Sequence, residues 1–158
     1  MTIKLKFFNY LFVLVCLIMG TGMSVHAEEQ TFTRINSIEE LNDGDRFIVV
    51  NEEYKAVLTE WNEKHFNYTS IKLEDGVATA NSFVTIFTLV KPNTNYYYLK
   101  TEDEKYLSNA SNSSTNHCNL KTTPDVTSRA KIDINEKYAS IVFEKNVKKA
   151  LLFSNNYG

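Results

Sequence analysis

Cysteine, proline and glycine are all scarce: two, two and five in 158 residues. Cys16 lies inside an apolar run near the N-terminus, which leaves Cys118 by itself. A lone cysteine cannot close an internal disulfide, so small disulfide-framework folds are excluded and the domain rests on its core. Low glycine and proline exclude collagen-like and proline-rich chains. Beyond residue 27 the glycines are Gly44, Gly76 and Gly158, so there is no glycine-rich loop to cradle a phosphate. Net positive charge is also missing. Lys and Arg total 17 against 19 Asp and Glu, which disfavours nucleic acid as a partner. No 12-residue window beyond Asp45 sustains a helical stripe. Hydrophobic residues at 43% and charged residues at 23% are nonetheless enough for one domain with a packed core.

The N-terminus reads as a targeting segment. Lys4 and Lys6 precede an apolar run from Phe7 to Met19, and small residues then lead to Val25-His26-Ala27. This is the charge, length and exit pattern of a secretory signal peptide cut before Glu28, and the run is short for a membrane span. Residues 1–27 are therefore expected to be a signal peptide. The chain is expected to be exported, secreted or held in the periplasm or at the cell surface, and to meet a membrane only during export. Removing Lys4 and Lys6 leaves 15 basic against 19 acidic residues, a net charge of −4.

Residues 28–158 read as one all-β domain. Thr31–Ile35 alternates as a strand, and Ser37 to Glu40 has the spacing of a capping box. Asn42 to Asp45 reads as a turn with Gly44 at positive φ. Further strands are expected at Arg46–Asn51, Tyr54–Glu60, Thr69–Leu73, Val84–Lys91, Tyr96–Lys100, Lys105–Ser108, His117–Thr122, Ala130–Asn135, Ala139–Glu144 and Lys149–Ser154. Short strands at this regular spacing imply a barrel or a β-sandwich.

Three stretches align without a gap: Phe47–Leu58 (FIVVNEEYKAVL), Tyr96–Leu107 (YYYLKTEDEKYL) and Ser140–Leu151 (SIVFEKNVKKAL). Each is a strand, a polar tip and a second strand ending in leucine. The alignment predicts that Ile48 and Val50, Tyr97 and Leu99, and Ile141 and Phe143 point into one interior, because i and i+2 share a face. Repeats fall near 46–91, 96–136 and 139–158, with the third incomplete. The stretch YYYLKTEDEKYLS, with its L-x-T-x-D-x-K-Y-L core, resembles a repeat of the fascin-like and ricin-like β-trefoils. The segment from RINSIEELNDGDRFIVVNE onward resembles uncharacterised modules in secreted proteins of Bacteroides-type bacteria. The resemblance implies a β-trefoil-like barrel, with a β-sandwich as the alternative, and brings no catalytic motif.

Chemistry-bearing patterns are few. Cys118 and His65 form no recognisable nucleophile–base arrangement, so Cys118 reads as a structural thiol. Glu102-Asp103-Glu104 lacks the ligand pattern and the glycine of a calcium loop and reads as a solvated hairpin tip. No metal and no cofactor is implied. Aromatics remain. Trp61, His65 and Tyr68 sit together in W-N-E-K-H-F-N-Y, where rings beside amides and a carboxylate suit a sugar-binding face. The competing role for Trp61 and Phe66 is to plug one end of the barrel. Alternation puts Tyr97 inward and Tyr96 and Tyr98 outward. The expected function is a non-catalytic binding or adhesion module for a glycan or an extracellular protein surface. The alternatives are a secreted hydrolase, a protease inhibitor, or a remnant of a longer secreted protein.

Overall fold

The computed structural model describes residues 11–13, 29–63, 65–80, 83–92, 95–109, 118–135 and 138–144. The strands are β1 (Leu11–Val13), β2 (Gln30–Thr33), β3 (Arg46–Asn51), β4 (Ala56–Trp61), β5 (Phe66–Ser70), β6 (Lys72–Glu74), β7 (Val77–Ala80), β8 (Phe87–Val90), β9 (Tyr98–Thr101), β10 (Tyr106–Asn109), β11 (Cys118–Lys121), β12 (Ala130–Asn135) and β13 (Tyr138–Phe143). Ile38–Glu40 forms a 3-10 turn. The protein is all-β. A curled half-barrel sheet runs β11-β10-β9-β8-β3-β4-β5, beside a β12–β13 hairpin and a three-stranded sheet β2-β7-β6. Every pairing is antiparallel.

Strand β3 explains its own position. Phe47, Ile48, Val49 and Val50 are consecutive and all buried. Such a run needs cover on both faces. Phe47 and Val49 join the larger core with Leu89, Leu99, Ile141 and Phe143. Ile48 and Val50 join a second core with Phe32, Val57, Ile71 and Ala78, under the small sheet. The core is thus two layers, one on each face of β3.

This corrects the single shared interior. Leu99 and Phe143 do share a core, as do Phe87, Leu89, Ile132 and Ile134, but Val50 and Ile48 face the other way. The reason is one residue of loop length. Asn51 pairs with Ala56 across a four-residue tip, whereas Thr101 bonds Lys105 across three. The tips end alike, with Lys55 and Glu104 at positive φ, so the extra residue slips β3 by one. A slip of one turns every side chain to the opposite face. Val49, not Val50, is the counterpart of Leu99.

Strand β7 falls outside the expected set. Its signal is Asp75-Gly76, both at positive φ, which closes a two-residue hairpin with Glu74 opposite Val77. The stretch expected as Thr69–Leu73 is two strands, β5 and β6. At the capping box, Ser37 Oγ accepts the Glu39 amide at 3.3 Å rather than that of Glu40, and Glu40 Oε1 accepts the Asn36 amide at 3.0 Å. Gly44, at φ +85°, donates to Leu89 O at 2.8 Å, and Leu89 donates back to Asp45 O. That turn therefore clamps β8. The expected strand Lys149–Ser154 and most of the polar loop 109–116 lie outside the described residues.

Candidate functional site

Trp61 ends β4 at a bulge. The pairing passes from Leu58–Tyr68 to Trp61–Phe66 and gains one residue on the β4 side. A bulge re-aims the side chains beyond it. Here it sets the Trp61 ring edge-on to Phe66 at 5.0 Å, and Phe66 in turn edge-on to Phe87 at 5.6 Å. Phe66 and Phe87 belong to the larger core, so Trp61 is half-buried and held by a chain of rings that starts in the interior. The tip is closed by Asn62 N donating to His65 O at 2.9 Å.

An amide ladder runs alongside. The Asn62 side chain meets His65 Nε2 at 3.1 Å and donates to Asn67 Oδ1 at 3.4 Å. Asn67 Nδ2 donates to Glu60 Oε1 at 3.3 Å.

Trp61 and Glu60 form one wall of an open groove of about 460 Å³. Phe83, 78% exposed, forms another, and the tip of the β9–β10 hairpin supplies Glu102, Asp103 and Lys105. The walls are tied together because Thr85 N donates to Leu58 O at 2.8 Å and Thr85 Oγ1 donates to Thr59 O. Glu102 pairs with Arg46, and Asp103 with Lys105 at 2.6 Å. The Lys105 ammonium and the Thr101 hydroxyl hold the Asp103 carboxyl below its ordinary pKa.

Of the three residues the sequence singles out, only Trp61 lines this groove. His65 sits at the hairpin tip with Asn62, and Tyr68, 47% exposed, stands opposite Leu58. The residues that sequence reasoning missed are Phe83, Glu102 and Asp103. A ring in the polar context Asn81-Ser82-Phe83 is the one local signal for the first; the other two read as an ordinary solvated tip.

Elsewhere, burial pushes the Cys118 thiol up to about 11, the reverse of an activated nucleophile. Tyr97 packs against the larger core, as alternation requires. Tyr96, Tyr98 and Tyr106 interlock edge-on at 5.3 and 5.8 Å, and the Arg129 guanidinium lies 4.6 Å over the Tyr96 ring. Those rings spend their faces on one another and on Arg129. Comparison of the chain with protein-family models, with curated proteins and with solved structures finds no match.

Proposed function

We propose that this domain is an exported, non-catalytic binding module that takes a glycan chain along the groove beside Trp61. The observation that carries this reading is a half-buried tryptophan fixed by Phe66, opposite an exposed Phe83, with carboxylates and an ammonium around the rim. Sugar rings present flat C–H faces and a rim of hydroxyls, so they need an apolar platform whose orientation is already fixed and polar groups near its edge. A rigid ring costs little conformational entropy on binding. The groove is open rather than enclosed, which suits a chain passing through better than a small molecule sealed from water. The same reading takes the fold as β-trefoil-like, related to the modules named above. The alternation of β8, β9, β12 and β13 supports it.

Trp61 is the sole tryptophan of the chain, so intrinsic fluorescence reports directly on the groove. The test is a glycan array with wild type and Trp61→Ala, followed by fluorescence titration of each hit. Saturable change in Trp61 emission, and loss of the hit in Trp61→Ala, supports the reading. Silence of folded wild type across neutral, amino and acidic glycans overturns it.

A further inference from the structure

One end of the curled sheet carries polar groups on its core face. Phe47, Phe87 and Thr101 stand opposite one another across β3, β8 and β9, so their side chains share that face. Phe47 and Phe87 are core rings, and Phe66 and Trp61 continue from Phe87 edge to edge. Thr101 therefore adjoins the chain of rings that ends in Trp61. It is buried and faces Lys105 across the tip of the β9–β10 hairpin. Thr101 N donates to Lys105 O at 2.8 Å, and the Lys105 amide donates back to Thr101 Oγ1 at 3.2 Å. Asp103 folds into the same corner. Its Oδ1 accepts from the Thr101 hydroxyl, and its Oδ2 lies 2.6 Å from Lys105 Nζ. Thr101, Asp103, Lys105 and Trp61 all line the groove. The Glu102 and Glu60 carboxylates engage other faces: Glu102 meets Arg46 on the outside of the sheet, and Glu60 meets Asn67 on the far face of the β4–β5 hairpin.

An aspartate held in this way differs from a bare acidic tip. An ionised carboxylate offers about four acceptor sites, of which Thr101 and Lys105 take one each. An acceptor and a donor thus stand 2.6 Å apart, close to the separation of two neighbouring hydroxyl oxygens on a pyranose ring. Each hydroxyl both donates and accepts, so a vicinal pair satisfies carboxylate and ammonium together. The two charges balance, so a further charge on a ligand meets its like as closely as its opposite. Resting on the glycan reading above, we infer that the Asp103–Lys105 pair selects neutral 1,4-linked hexose chains, whose O2 and O3 hydroxyls stand side by side, while the sugar face stacks on Trp61. Asp103 is the residue that sets this preference. Its acceptor atoms are oriented before the ligand arrives, which lowers the cost of binding. A 1,3-linkage spends one hydroxyl of each pair on the glycosidic bond, and an amino sugar replaces the other with a cation.

The experiment titrates three hexasaccharides against the chain by calorimetry: β-1,4-linked glucose, β-1,3-linked glucose and β-1,4-linked glucosamine. Wild type, Asp103→Asn and Trp61→Ala are each measured, with thermal melts to show that they are folded. The expected result is β-1,4-glucose binding at least about tenfold tighter than either of the others, the worth of a hydrogen bond to a charged group. Asp103→Asn is expected to erase the margin over β-1,3-glucose and to keep weak binding of both glucans, whereas Trp61→Ala loses both. The two glucans compared on wild type test the inference without any variant. Equal binding of the two, or tighter binding of glucosamine, overturns it and leaves the glycan reading standing. A margin that survives in folded Asp103→Asn overturns it too, because the linkage is then read by shape alone. Silence toward all three sugars, with another glycan captured on the array, overturns the inference alone; silence toward every glycan overturns both.

Discussion

Tyr97 and Ala130 exchange both backbone hydrogen bonds, each 2.9 Å long. This bridge joins the β12–β13 hairpin to the curled sheet through β9. Ala130 is fully buried and also stands opposite Phe143. Its small side chain fits a site closed by two neighbouring strands. Ala130→Leu adds three carbons where no free surface remains, and overpacking of this kind costs about 1–3 kcal/mol. The expected outcome is a lower urea midpoint at unchanged m-value; a variant as stable as wild type would show that the hairpin is only loosely docked.

Phe83 makes the opposite case. It is the most exposed large apolar side chain among the described residues and lines the groove rather than a core. Phe83→Ala is expected to change stability by no more than about 0.5 kcal/mol, while weakening any ligand that also depends on Trp61. Thermal melts and the fluorescence titration read the two effects separately. A large loss of stability would assign Phe83 to packing and remove one wall of the proposed site.

What the sequence made legible follows from which forces are local. Arg46–Asn51 and Ala130–Asn135 are strands with the bounds that β-branched runs and flanking polar residues suggest. Their patterns are set by burial alone, which composition reflects. The facing of β3 was not legible, because one added loop residue at Glu52–Lys55 decides it and the apolar run RFIVVN looks the same in either register. The site divides in the same way. Trp61 stands out as a rare residue in polar company. Phe83 and the Glu102–Asp103 tip reach the groove only through the pairing of β8 with β3 and β9, which is long-range information.

Acid sensitivity should originate at two aspartates. Asp125 accepts from Lys121 Nζ at 2.7 Å and from the Thr127 amide and hydroxyl at 2.8 and 2.5 Å. These donors hold its carboxyl far below the ordinary range, and Asp103 is lowered too, by Lys105 and Thr101. A carboxyl whose folded pKa is depressed contributes stability that is complete above its unfolded value, near 4, and is lost as pH falls toward the folded value. Stability is therefore expected to be flat from neutrality to about pH 4–5 and to decline below it. Asp125→Asn should lower the plateau and flatten the decline, as read by denaturant melts at stepped pH. An unchanged acid slope would show that Asp125 contributes nothing.

Cys118 should behave as a packed apolar group. Its side chain rests against the larger core, and burial raises its thiol to about 11. Near pH 8 the thiolate fraction is then small, and the thiolate is the reactive species. Alkylation of native protein by iodoacetamide is expected to lag far behind that of protein unfolded in guanidinium. Rapid native labelling would mean that packing against the larger core does not shield this half-buried thiol.

Leu11–Val13 falls in the apolar run that reads as a leader, and it pairs antiparallel with Val49, Ile48 and Phe47 of β3. On its other side β3 meets β8 at Arg46 and Phe47. Cleavage before Glu28 would remove β1 and leave part of β3 with an unpaired backbone edge in the middle of the fold. Edges of this kind exchange their amides faster and recruit other strands. The chain beginning at Glu28 is therefore expected to show faster hydrogen exchange at Phe47–Val49 than the 158-residue chain, with Ala130–Asn135 unchanged as the internal control. It is also expected to self-associate more readily at high concentration, as read by analytical ultracentrifugation. Equal protection at Phe47–Val49 in the two chains would mean that another segment covers this edge in the shorter chain, and that β1 contributes nothing the chain beginning at Glu28 lacks.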